Sequence, residues 1–104
     1  MSALIEFAIF PIDHTKSKSA FVARVLDIID QSGLPYQFTA MGTVIEGETV
    51  AEVLAVVEEA YLELQKDCER IYSTIKIDYC KGPIGRLNKK VNSVEEKLGR
   101  KLNS

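Results

Sequence analysis

Between Leu4 and Ile12 apolar residues take almost every position, and Glu6 is the lone charge before the loop. Strand alternation sends Ile5, Phe7 and Ile9 to one side and Leu4, Glu6, Ala8 and Phe10 to the other. A strand apolar on both sides is ordinarily covered on both, and Pro11 marks its end. Asp13–Lys18 reads as a polar loop in which Ser17 or Ser19 suits a helix N-cap. Over Phe21–Gln31 the period changes to that of a helix, with Val22, Val25, Leu26 and Ile29 on one stripe. Gly33 fits the position just past its end, and Pro35 bars continuation. Tyr36–Ala40 and Thr43–Gly47 alternate again and lie close enough, across Met41-Gly42, to form a hairpin. Thr49-Val50-Ala51-Glu52 is a capping box that opens a helix with Val50, Val53, Leu54, Val57, Tyr61 and Leu64 on its apolar stripe. Ile71–Tyr79 is a fourth strand, with Ile71, Ser73, Ile75 and Ile77 facing one way and Tyr72, Thr74, Lys76 and Asp78 the other. Beyond the Lys81–Gly85 loop, Leu87, Val91, Val94, Leu98 and Leu102 form one helical stripe. Ser93–Glu96 offers a second capping box, which would start that helix at Val94, and Gly99 weakens it.

The order β-α-β-β-α-β plus a terminal helix is that of a ferredoxin-like α+β fold in one domain over residues 1–104. Right-handed crossovers predict an all-antiparallel sheet of order 4-1-3-2, with both long helices on one face. Ile5, Phe7, Ile9, Phe38, Ile45, Ile75 and Ile77 make the natural face for them.

Composition narrows the function. Hydrophobic residues are 46% of the chain and charged residues 27%, the balance of a folded protein. A net charge of −2 gives no general attraction to nucleic acid or anionic membrane. No apolar run reaches the roughly 18–20 residues of a membrane span, and the N-terminus has no basic n-region or cleavage site, so a cytoplasmic protein is expected. Cys68 and Cys80 lack metal-ligand spacing and read as free thiols, and no metal or cofactor is expected.

The face opposite the helices carries the chemistry. It presents Leu4, Glu6, Ala8, Phe10, Thr39, Met41, Val44, Glu46, Tyr72, Thr74 and Lys76, too apolar for water and too polar for a plain core. The same face of a second subunit is the nearest cover, which predicts a sheet-on-sheet homodimer and its further pairing to a tetramer. Burying an unpaired ion costs several kcal/mol. Glu6 has an evident partner in Lys76 on the adjacent strand, whereas Glu46 has no basic neighbour on either flanking strand. A bound cationic or hydrogen-bonding ligand is therefore expected at Glu46, with Thr39, Thr43 and Thr74 as neutral donors and acceptors. Other signals are weaker. His14 is a lone histidine in a polar loop, and Phe10 and Tyr72 lack the consensus of RNA-binding sheets. Lys81-Gly82-Pro83-Ile84-Gly85-Arg86 could hold an anion through loop amides but lacks P-loop spacing.

Five stretches together carry a family resemblance: Glu6–Pro11, Phe21-Val22-Ala23-Arg24-Val25-Leu26, Ser32–Tyr36, Met41–Gly47 and Thr74–Asp78. They resemble the small thiamine-binding protein family, and the Gly-Thr-Val-Ile-Glu-Gly run is the most specific piece. The resemblance spans about Leu4 to Leu98 and implies a ferredoxin-like fold, sheet-to-sheet dimers often joined into tetramers, and binding of thiamine or its hydroxymethylpyrimidine precursor without catalysis. The expected ligand-binding residues are Glu46, Thr43, Thr39, Met41, Phe10, Glu6, Thr74 and Lys76. Two alternatives stay open: a small dimeric enzyme with a pKa-shifted base on the sheet, and an assembly module in which Glu6, Glu46 and Lys76 form an interface ion network.

Overall fold

The computed structural model describes residues 1–13 and 18–103, and the expectations for His14 and Ser17 lie outside them. The elements are β1 (Ser2–Pro11), α1 (Lys18–Gln31), β2 (Tyr36–Thr39), β3 (Gly42–Gly47), α2 (Val50–Leu64), β4 (Ile71–Cys80) and α3 (Arg86–Leu98). The sheet runs β2-β3-β1-β4, every neighbouring pair antiparallel, which is the expected order read from its other edge. α1 and α2 cover one face.

Local chemistry explains the boundaries. Gly33, at φ 77°, follows α1 in the left-handed conformation that glycine adopts without penalty. At α2 the Thr49 hydroxyl accepts from the Glu52 amide at 3.1 Å, and the Glu52 carboxylate accepts from the Glu48 amide at 2.9 Å. That is the expected capping box with its return bond one residue earlier. Ser19 lies inside α1 rather than at its cap. α3 starts at Arg86 and not at Val94, because the glycine loop before it turns the chain at Gly85 (φ 114°), and Gly99 serves as its C-cap. At the β2–β3 turn Gly42 has φ 150°, and a Cβ there would sit 3.0 Å from the Phe7 carbonyl oxygen.

The core lies between the sheet and the two long helices: Ile5, Phe7, Ile9 and Ile45 from the strands, Phe21, Val25 and Ile29 from α1, and Val53, Val56, Val57, Ala60 and Leu64 from α2. Val56 and Ala60 are buried, whereas Leu54, which the stripe expected in the core, is 39% exposed. Arg24 ties α1 to α2 through bonds to Glu63 (3.0 Å) and Asp67 (2.9 Å). Three residues expected under the helices are open instead: Phe38 is 55% exposed, Ile75 39% and Ile77 45%. Their cross-strand partners Thr43, Phe7 and Ile5 confirm that they lie on the helix side. They are exposed because β2 and β4 are the sheet's edges, and two helices centred over β1 and β3 do not reach that far. α3 has no buried residue, and Val94 and Leu98 on its apolar stripe are open. Among the described residues, no helix is long and apolar enough to cross a membrane.

Candidate functional site

The residues expected to form one site fall into three places. Glu46 is the first. It lies on the face away from α1 and α2, opposite Leu4 on β1, and is only 1% exposed. The cover is the first turn of α3. One carboxylate oxygen, Oε2, accepts from the Ser2 hydroxyl at 2.6 Å and from the amides of Gly85 and Arg86 at 2.9 and 3.0 Å. The other accepts from the Leu87 amide at 3.1 Å. The loop that the sequence marked as an anion binder does bind an anion, and the anion is this chain's own glutamate. Burial alone would push the Glu46 carboxyl up, but the Ser2 hydroxyl and the three amides more than offset it and hold it below the usual glutamate range. Arg86 completes the joint. It donates to the Ser2 hydroxyl at 3.0 Å and to the carbonyls of Ser2 and Asp78 at 2.9 and 2.7 Å, and pairs with the Asp78 carboxylate at 3.2 Å. Sequence reasoning missed Ser2, and placed Arg86 in an anion-holding loop without linking that loop to Glu46. The only available signal was the coincidence of a glycine turn, a helix start and an unpaired acid.

The second place is the middle of the same face. Glu6 and Lys76 are directly opposite across β1 and β4, with 3.8 Å between charged atoms and both side chains largely in water. Such a pair contributes little to stability. Thr74 lies beside them, opposite Ala8, and is exposed.

The third place gathers the remaining four. Phe10, Thr39, Met41 and Thr43 line a cavity of about 220 Å³ together with Phe7, Lys18, Val22, Val25, Leu26, Ile29 and Phe38. Its origin is a mismatch of strand lengths. β1 continues to Pro11, while its pairing with β3 stops at Phe7↔Thr43, so the β3 side of Ala8–Phe10 has no strand beside it. α1 roofs the gap and the β2–β3 hairpin closes one side. The walls are mainly apolar. Thr43 is 3% exposed and brings a hydroxyl to the wall. The Thr39 hydroxyl is engaged in its own turn, donating to the Gly42 carbonyl at 2.9 Å and accepting from the Met41 amide at 3.1 Å. Lys18 places its ammonium 4.5 Å from the centre of the Phe10 ring, and that ring also lies 5.7 Å from Tyr72. Glu46 is three residues further along β3 on the opposite face, roughly 10 Å away. Among the described residues, no group of three or more His, Cys, Asp or Glu could hold a metal ion.

Chemically the cavity suits a small flat ring. It is below the roughly 300–1,000 Å³ of sites for drug-sized ligands. It combines aromatic and aliphatic walls, one buried hydroxyl and an unpaired strand edge. Its charged lining group is a cation, which disfavours a second positive charge at the same spot.

Comparison with known proteins adds the lineage. A family described as thiamine-binding protein matches residues 5–95. A UPF0045 protein of Mycobacterium bovis is 37% identical over 98 residues, spanning 94% of this chain and 96% of its own. A UPF0045 protein of Methanothermobacter thermautotrophicus is 32% identical over 95 residues, 89% of this chain and 96% of the relative. Among solved structures, protein MJ1052 of Methanocaldococcus jannaschii superposes with a TM-score of 0.79 at 28% identity, covering 91% of this chain and 97% of that one. A Thermotoga maritima protein provisionally assigned to thiamine biosynthesis or salvage shares the fold, with a TM-score of 0.78 at 21% identity and coverage of 90% and 99%. The match over nearly the whole length, together with the ferredoxin-like sheet, means that the chain belongs to the thiamine-binding protein family.

Proposed function

We propose that this protein reversibly binds the aminopyrimidine half of thiamine, as free hydroxymethylpyrimidine or as thiamine entering pyrimidine first, in the cavity beneath α1. The observation that carries the reading is the cavity itself: about 220 Å³, apolar on most sides, with Thr43 in its wall. A substituted pyrimidine is flat, neutral and edged with donors and acceptors. It can stack on apolar walls while the Thr43 hydroxyl and the unpaired edge of β1 meet its polar rim. Family membership supports the ligand class, and the Thermotoga maritima neighbour's provisional assignment points the same way. The described lining offers no carboxylate, imidazole or thiol for proton transfer or attack, which favours binding over turnover.

In this reading the permanently charged thiazolium stays outside, because Lys18 stands in the lining. Glu46 takes no part in recognition, since all its hydrogen bonds go to Ser2 and the start of α3. Isothermal titration with hydroxymethylpyrimidine and with thiamine tests the proposal. Saturable heat with at least one of them is expected, abolished by Leu26→Trp, which fills the cavity. Absence of saturable heat with either up to about 1 mM, or binding unmoved by Leu26→Trp, refutes it.

A further inference from the structure

The pairing of β1 leaves one residue with its backbone unanswered. Opposed residues in an antiparallel ladder alternate between pairs that exchange hydrogen bonds and pairs that do not. Two bonds just past the paired segments fix that alternation. The Ile12 amide donates to the Arg70 carbonyl at 3.1 Å, continuing the β1–β4 register, so the even residues of β1 bond to β4. The Glu46 amide donates to the Pro35 carbonyl at 2.9 Å, continuing the β2–β3 register. Even residues of β3 thus bond to β2, and its odd residues turn to β1, where they meet Ala3, Ile5 and Phe7. Both observations agree that the odd residues of β1 aim N–H and C=O at β3.

Ile9 is the next odd residue. The register would set Met41 opposite it, but pairing ends at Phe7↔Thr43 and β3 begins at Gly42. Among the described residues, nothing bonds to the Ile9 N–H or C=O. Pro11, the following residue of the same orientation, has no N–H. Ile9 is 6% exposed and lines the cavity under α1. Backbone polar groups held away from water are nearly always paired, so this donor and acceptor call for a partner inside the cavity.

We propose that the Ile9 backbone is the element that selects the ligand. Its N–H donates to a ring nitrogen, and its C=O accepts from an amino group on the adjacent ring carbon. The site therefore takes heterocycles that carry an acceptor beside a donor. The assignment rests on the pyrimidine reading of the cavity and narrows it to one edge of the ring, that of the ring nitrogen next to the amino group. One extended residue can meet both groups, because its N–H and C=O point the same way, as they do toward a partner strand. A peptide strand is the other occupant such an edge admits, but α1 roofs the gap and about 220 Å³ is too small for one. Selection by backbone also suits a lining whose side chains are mostly apolar.

Amide hydrogen exchange of the full chain, followed by heteronuclear NMR with and without saturating hydroxymethylpyrimidine, tests this. Binding is expected to slow exchange at the Ile9 amide roughly tenfold or more and to move its resonance downfield. The analogue without the amino group leaves the Ile9 carbonyl unmet and is expected to bind roughly tenfold more weakly in calorimetry. An ester in place of the Ala8–Ile9 peptide deletes the N–H and keeps every side chain. It is expected to weaken hydroxymethylpyrimidine roughly tenfold, whereas an ester at Leu4–Ile5, which deletes a β1–β3 ladder bond, lowers the melting temperature and leaves affinity alone. Saturable binding that leaves Ile9 exchange unchanged, or that is indifferent to the missing amino group or to the Ala8–Ile9 ester, overturns this inference and leaves the pyrimidine reading standing. Absence of saturable binding overturns both.

Discussion

Replacing Glu46 by glutamine tests the electrostatic joint that holds α3 to the sheet. The change keeps size and shape and removes one charge. In the folded protein the carboxylate accepts four hydrogen bonds, three at one oxygen. A glutamine that turns its carbonyl toward Ser2, Gly85 and Arg86 converts three charge-assisted bonds into neutral ones, a loss of about 1 kcal/mol each. Its NH2 group then faces the Leu87 amide, and that donor goes unsatisfied at about 1–3 kcal/mol. The opposite rotamer leaves two amides facing NH2 and is no better. The expected loss is thus about 4–6 kcal/mol, a large part of the roughly 5–15 kcal/mol available to a domain of this size. With a urea m-value of about 1.5 kcal/mol/M, the midpoint at pH 7 moves down by about 2.5 M or more. The pH dependence supplies an internal control. Folding lowers the pKa of Glu46, so its stabilising effect is complete above the unfolded glutamate value, about 4.3, and disappears as pH falls through the lower folded value. Glutamine does not titrate, so the gap between the two proteins should narrow below about pH 4. Urea titrations at pH 7 and in acid, followed by circular dichroism, measure both quantities. A loss under about 1 kcal/mol, or a gap that stays constant into acid, rules out this account of the joint.

Other substitutions probe other parts of the molecule. Thr43→Val keeps the shape and deletes the cavity's buried hydroxyl; calorimetry should show pyrimidine affinity falling about five- to tenfold, with the melting temperature nearly unchanged. Lys18→Gln removes the positive group of the lining, and competition titration should show thiamine gaining about fivefold relative to the neutral pyrimidine. Gly47→Ala would place a Cβ 2.8 Å from the Glu52 carboxylate and 2.9 Å from Val53 Cγ1, so thermal unfolding should report a loss of about 1–3 kcal/mol without change in ligand affinity.

Much of this architecture is written in short-range patterns. Alternation in β1 and β4, the Thr49–Glu52 cap and the stop at Gly33 depend on neighbours within a few residues, and they place the strands, the helices and the antiparallel order. Alternation also puts Glu46 on the side of the sheet that α1 and α2 leave bare. What covers that side is a different matter. The amides that meet Glu46 come from residues 85–87, some forty positions away, and backbone donors carry no signature in a list of side chains. An acid without a basic neighbour therefore reads as unpaired in the sequence, although four donors of its own chain meet it in the fold. The cavity is hidden for a related reason, since it arises where β1 outruns its pairing with β3 and only the register reveals the gap. Likewise Ile75 and Ile77 look like core by period and lie open by position, because period assigns a residue to a face while tertiary packing decides how far the helices extend across it. Local sequence determined the elements and their faces; long-range docking alone decided which parts of those faces are filled, capped or left empty.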